Sequence, residues 1–374
     1  MKKINFLVIA LFLMLSQINA QWSFGIITGQ QYNSNPFQSP LPIETLVSSY
    51  DFTFSNSMNE YELSYYGSYI NLIKIPERNF YWHQLAFTKN DSVSSLGIIA
   101  EQRMGKDIYT YFDFKNVYAF YSYTFEGKIF DFIFNPIINY SSYDEIKILD
   151  NIKLSLNYKF SKSLETKTTF FLGGSFNYKK YLNPTQSGYY TYLDSNNVLH
   201  KEFYTDQNIN SLVNLSSYIR IAQSVTETTG LAFQYANKTI FNKISDTNKE
   251  LNVIYGDESE IFDDPANLQG NFYAVELTQI FMEDWQLRLG YYLNKKYYPT
   301  QGVYEDSENY FLNKMRTDKQ TIFGISISKA FTFDFLNESN LNLSLNFQSI
   351  NNNSNSYWFN YKNTTFGINL GFQF

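Results

Sequence analysis

A chain of 374 residues with 44% hydrophobic, 17% charged and 19% aromatic content carries a formal charge of −6 and no cysteine. The missing cysteine excludes disulfide frameworks, thiolate metal sites and cysteine nucleophiles, and the abundance of aromatic and β-branched residues excludes a disordered chain. No run beyond residue 20 approaches the ~20 apolar residues of a spanning helix, which excludes a helical membrane bundle.

The chain begins with Lys2 and Lys3, an apolar stretch over 6–15 and a small residue, Ala20. That order reads as a secretory signal peptide over 1–20, cleaved after Ala20. Loss of the two lysines takes the charge from −6 to −8. An acidic exported chain without a basic cluster is not a nucleic-acid binder.

From residue 21 onward, strand follows strand. Residues 22–30, 46–54, 59–70, 80–88, 94–103, 114–124, 128–140 and 149–160 are the first eight expected strands. The next eight are 166–179, 211–224, 228–238, 271–282, 284–296, 318–330, 340–350 and 362–374. The period of two is plainest at Ile152, Leu154, Leu156, Tyr158 and Phe160, which oppose Lys153, Ser155, Asn157 and Lys159, since alternate residues of a strand point to opposite faces. The same alternation recurs at Leu341–Phe347 and at Phe366–Phe374. Pro36, Pro40 and Pro42 interrupt the stretch 22–60, so fourteen strands remain an alternative to sixteen.

Three features point to a transmembrane barrel rather than a soluble sandwich. The polar face is rich in Asn, Ser, Thr, Gln and Gly, as a surface facing water inside a pore would be. Rings end the apolar face, as at Tyr158 and Phe160 or Phe372 and Phe374, like an interfacial girdle. Connections alternate between short (161–166, 226–229, 282–284) and long (180–210, 239–270, 294–319, 351–363). A lipid-exposed sheet has to close on itself, which makes residues 21–374 one antiparallel up-and-down β-barrel. At about sixteen strands such a barrel is too wide for its own side chains to fill.

The signal peptide, the alternating strands and the ending Gly367-Ile-Asn-Leu-Gly-Phe-Gln-Phe374 resemble Gram-negative outer-membrane β-barrel proteins, in a porin-like form. The Asn- and Tyr-rich style is similar to barrels of the Bacteroidetes. The resemblance implies export by the general secretory route and an integral outer-membrane location. It also implies contact with outer-membrane lipid and lipopolysaccharide, with Phe372 and Phe374 as the assembly signal read by the barrel-assembly machinery. It leaves homo-oligomerisation open and names no solute.

Charges expected on the lumen face are Asp51, Glu62, Glu101, Asp131 and Glu276 against Arg103, Lys153, Lys159, Lys167, Arg220, Lys238 and Arg288. Charges in a water-filled lumen tune ion selectivity, and pairing across neighbouring strands is the bland alternative. The run Asp257, Glu258, Glu260, Asp263 and Asp264 forms an acidic loop cluster, joined by Glu305, Asp306 and Glu308 in the next loop. It lacks the spacing and the glycine of an EF-hand, so a solvated rim repelling anions is expected and no metal site is assigned. The two histidines, His83 and His200, have no nucleophile motif beside them, and no catalytic set or cofactor is expected. A passive diffusion channel for small polar solutes is the first functional expectation. A non-conducting structural or secretion-linked barrel is the second, and it would show folded-in loops; an outer-membrane enzyme is the third.

Overall fold

Sixteen amphipathic strands, apolar on one side and polar on the other, leave no edge exposed only if the first pairs with the last. The computed structural model describes residues 21–183, 185–193, 199–207, 211–241, 268–282, 284–299, 301–311, 313–333 and 339–373. Residues 1–20, the acidic run Asp257–Asp264 and Phe374 lie outside the described residues.

The strands in chain order are β1 (Gln21–Asn33), β2 (Thr45–Met58), β3 (Tyr61–Leu72), β4 (Phe80–Asn90), β5 (Ser94–Met104), β6 (Phe114–Phe125) and β7 (Asp131–Tyr143). They continue with β8 (Asn151–Ser163), β9 (Thr168–Tyr181), β10 (Thr185–Leu193), β11 (Leu199–Gln207), β12 (Leu212–Ser224) and β13 (Thr229–Ile240). The remainder are β14 (Gln269–Phe281), β15 (Trp285–Tyr298), β16 (Val303–Tyr304), β17 (Tyr310–Phe311), β18 (Arg316–Phe333), β19 (Ser339–Ser354) and β20 (Tyr361–Gln373). Each wall strand pairs antiparallel with the next, and β1 closes on β20 in the register Gly25↔Gln373 to Asn33↔Thr365. The pairs β10–β11 and β16–β17 are separate two-stranded sheets within connections.

The sixteen wall strands coincide with the sixteen expected ones, so the fourteen-strand alternative falls. Pro36, Pro40 and Pro42 sit in the connection 34–44, where proline breaks no ladder. The expected long connections are shorter than their assigned spans, because β9, β13, β14, β15, β18, β19 and β20 run further: 182–211, 241–268, 299–315 and 355–360 lie between wall strands. Three connections at the same end, 73–79, 105–113 and 144–150, are short and carry 3-10 turns at Pro76–Arg78, Asp107–Phe112 and Lys147–Leu149. Tight connections such as 59–60, 91–93 and 225–228 occupy the other end, where Asn59 and Lys167 take left-handed φ of 53° and 60°. Asparagine tolerates that region well.

Apolar side chains point outward and remain accessible. Leu85, Ile98, Ile138, Leu154, Leu172, Ile219, Phe233 and Val275 are all exposed, a continuous band that only an apolar surrounding would cover. Rings flank the band. Trp22, Phe24 and Phe54 gather at the tight-turn end with centroids 4.9 and 5.1 Å apart, and Phe132 stacks on Phe160 at 4.6 Å. At the long-loop end Tyr69 stacks on Tyr81 at 4.7 Å and Tyr235 lies 5.2 Å from Tyr273. No helix among the described residues is long and apolar enough to cross a membrane.

Candidate functional site

The inward face follows from register. Opposite partners on antiparallel strands share a face, and the outward band fixes which face that is. Asp51, Glu62, Glu101, Arg103, Asp131, Lys153, Lys159, Arg220, Lys238, Glu276 and Arg288 all occupy inward positions. Lys167 does not: it lies in the turn 164–167 between β8 and β9, so it belongs to the rim and not to the wall. Four inward charges escaped the sequence reading, namely Lys179, Lys296, Arg316 and Asp318. They lie on strand segments that continue past the boundaries expected from periodicity or sit at those boundaries.

The two signs are unevenly spread, with Arg103 on β5 beside Glu101, and Glu276 and Asp318 among the bases. Asp51, Glu62 and Glu101 lie on β2, β3 and β5, whereas the bases from Lys153 to Arg316 lie on β8 to β18. Asp51 accepts hydrogen bonds from Tyr66 Oη at 3.0 Å and Ser68 Oγ at 2.5 Å. Glu101 accepts one from Asn116 Nδ2 at 2.6 Å. Across the lumen, Arg220 reaches over β13, where Ala232 leaves room, and meets Glu276 at 2.6 Å. Tyr292 Oη donates to the second oxygen of Glu276 at 3.1 Å. Both members of the ion pair keep about 30% of their surface (29% and 30%). Together with Arg288, Asn346 and Gln348 they line a groove of about 610 Å³ along the inner wall. Arg288 is exposed and carries no ion pair among the described residues.

Large inward rings would obstruct this space if they stood perpendicular to the wall. They lie down instead, over glycines. A Cβ on Gly173 would meet the Tyr218 ring at 2.6 Å, one on Gly290 the Tyr292 hydroxyl at 2.5 Å, and one on Gly97 the Phe120 ring at 2.6 Å. All three glycines face inward, so each provides the floor on which a ring flattens.

The long-loop mouth is built differently. Ile146 and Leu149 fold onto the inward-facing Phe114, Tyr143, Tyr181 and Leu212 as a buried apolar cluster, with Trp82 and Phe112 against it. Arg316 is buried with Asp318, at 3% and 0% side-chain exposure and 2.5 Å apart. Its guanidinium lies between the rings of Tyr298 (4.1 Å) and Phe359 (3.4 Å), and its Nη1 donates to Gln301 at 2.7 Å. Wall and connections 299–315 and 355–360 are thereby joined. A third arginine, Arg78, sits over Phe37 at 4.1 Å and Tyr109 at 4.5 Å, tying 34–44, 73–79 and 105–113 together. Burial raises the carboxyl pKa of Asp113 at the foot of the third loop, against the Gly105 amide, which donates to it at 2.6 Å.

Of the two histidines, His83 faces outward beside Tyr81, and its Nδ1 is 2.7 Å from Tyr65 Oη. The partner is a phenol and not the serine a hydrolase needs. His200 lies on β11, paired with Tyr192. Phe372 faces outward on β20 opposite Ile26 and Leu341. No group of three or more metal-ligating side chains occurs among the described residues.

No protein-family model matches the chain, and neither does any curated protein. Solved structures do. OccAB1 of Acinetobacter baumannii superposes with a TM-score of 0.53 at 8% identity, covering 96% of this chain and 97% of that one. A BenF-like porin from Pseudomonas fluorescens Pf-5 gives 0.53 at 10% identity, covering 95% and 99%. A bacterial polysaccharide outer-membrane secretin gives 0.51 at 6% identity, covering 94% and 97%. At such identities the likeness is one of fold, a closed β-barrel, which in this chain has sixteen strands.

Proposed function

We propose that the protein is an integral outer-membrane channel through which small polar solutes diffuse passively. The observation that carries this reading is the middle of the barrel, where polar and charged side chains keep part of their surface accessible above rings flattened onto glycine. The apolar outward band and its flanking rings support a membrane location, with the tight turns toward the periplasm. Export by the secretory route, recognition of the final strand by the assembly machinery and any homo-oligomer belong to the same proposal.

At the described inward positions nine bases face six acids, so the channel is proposed to favour anions weakly. The bases lie mostly on one wall and three acids on the other, which orients dipolar solutes as they pass. One observation favours a second reading, a non-conducting structural or secretion-linked barrel: loops fold inward at the mouth, at Ile146, Leu149 and Gln301. We read these loops as narrowing the entrance above a hydrated lumen. An enzyme finds no support in the surroundings of His83.

Liposome swelling tests the choice. Vesicles containing the protein should admit small sugars and amino acids at rates that fall with solute size, while empty vesicles do not. Correctly folded protein that leaves swelling at the empty-vesicle rate would refute the channel and favour the structural barrel.

A further inference from the structure

On the outward face near the long-loop mouth, Lys295 on β15 lies directly opposite Lys319 on β18. Directly opposite strand residues have Cβ atoms ~5 Å apart, and like charges there destabilise the pair. Both lysines are exposed, and neither has an ion pair among the described residues. The only carboxylates on β13, β14, β15, β18 and β19 are Glu276 and Asp318, and both face the lumen. Nothing on the wall offsets the repulsion.

The same outward row holds Asn237, Asn271 and Asn353, with Asn271 opposite Lys295 and Asn353 opposite Lys319. Asn271 Oδ1 already accepts hydrogen bonds from Tyr235 Oη at 2.8 Å and Asn237 Nδ2 at 2.9 Å. Its two lone pairs are used within the row, so the group left for an outside molecule is a donor. Two ammonium groups and amide donors thus converge on a concavity of about 720 Å³ on this side of the barrel. Tyr235 and Tyr273, the long-loop-end rings two residues from Asn237 and Asn271 on the same outward face, mark the membrane interface beside the row, and exposed Tyr297 lies just beyond it.

We propose that this row is a binding site for the phosphate group of an outer-leaflet lipid headgroup. The inference rests on the membrane-barrel reading above and adds a residue-level site to it. Position decides the source. The lysines stand on the lipid-facing side at headgroup level, where their stems lie along apolar wall and their ammonium groups reach phosphate. A soluble anion passing through the channel would not meet them.

The test uses the mature protein reconstituted in two vesicles, phosphatidylcholine alone and phosphatidylcholine with a diphosphorylated glycolipid. Retention of the glycolipid through detergent extraction is then read by native mass spectrometry. Folding is checked separately as heat-modifiable migration in phosphatidylcholine, so a chain that fails there refutes the membrane barrel and not merely this site. Wild type is expected to retain the glycolipid, and the double variant Lys295→Gln/Lys319→Gln to lose about tenfold in retention per lysine, as for charge-assisted hydrogen bonds. Lys295→Arg/Lys319→Arg keeps the charges and should retain it. Equal retention by wild type and the Gln variant would overturn the proposal. So would full displacement by millimolar inorganic phosphate, which would make the row a site for free anions.

Discussion

The protein contains the same chemical pair, an arginine against a carboxylate, in two surroundings. At the mouth Arg316 and Asp318 are buried at 3% and 0% exposure, clasped by two rings and tied to a loop glutamine. In mid-lumen Arg220 and Glu276 keep 29% and 30% and face the groove. The first pair has lost its water, so its strength depends on every surrounding group staying in place. The second is screened by solvent and contributes little to stability, but its charges stay accessible from the lumen. One pair builds the entrance; the other sets the field behind it.

The largest expected effect comes from breaking the buried pair. Arg316→Ala leaves Asp318 buried without its cation, a loss of about 3–5 kcal/mol, and should release connections 299–315 and 355–360. Faster swelling with larger solutes, together with new protease cleavage in those connections, would show it. Arg316→Lys keeps the charge but not the planar stacking between rings, and should fall between wild type and Ala.

Next comes the floor beneath the lumen rings. Gly173→Leu places a side chain where the Tyr218 ring lies, overpacking worth about 1–3 kcal/mol, and should push the ring into the lumen. Single-channel conductance should drop while folding in detergent persists. Unchanged conductance would mean that the flattened rings do not border the conducting path.

Glu276→Gln is expected to cost no more than about 1 kcal/mol, because the pair is partly exposed. It frees Arg220 to attract anions, so the reversal potential in a salt gradient should shift toward the anion value. A shift toward cations would sever the mid-lumen pair from selectivity.

The smallest effect concerns the connection tip at Asp306. Its carboxyl pKa is lowered by the backbone amides of Glu308 and Asn309 and by the Asn309 side chain. A lowered pKa means that the charged form is the stabilising one. The contribution is complete above the ordinary carboxylate value of ~3.9 and lost as pH falls through the lower folded value. The protection factors of the Glu308 and Asn309 amides, exchange rates corrected for the intrinsic pH dependence, should therefore stay constant between neutrality and pH ~5 and fall only in stronger acid, and Asp306→Asn should remove that acid-induced step.

The wall was legible because a strand between lipid and water has to alternate, so Ile152–Phe160 and Phe366–Phe372 declared both their structure and their faces. Inward placement of Arg220 and Glu276 follows from the same parity. Their pairing does not, since it spans a whole intervening strand and depends on the register of β12, β13 and β14. Lys167 is expected on the wall because the turn read at 161–166 lies at 164–167 instead: the period of two does not show that β8 runs on to Ser163 and that β9 starts only at Thr168. The mouth was hidden for a different reason. Arg78, Phe37 and Tyr109 lie in three irregular connections, and Arg316, opposite Tyr298 at the ends of β18 and β15, is closed over by Phe359 from a further connection, contacts to loops that no period betrays. The glycine floors left a faint trace: Gly290 and Tyr292 are two apart on one strand and therefore share a face.

The central claim is a hydrated lumen beneath a narrowed mouth, and planar-bilayer recording of the purified mature protein tests it most directly. Stepwise openings of uniform size are expected, with conductance rising in Arg316→Ala. A folded barrel that inserts and stays electrically silent, in wild type and in Arg316→Ala alike, would contradict the account.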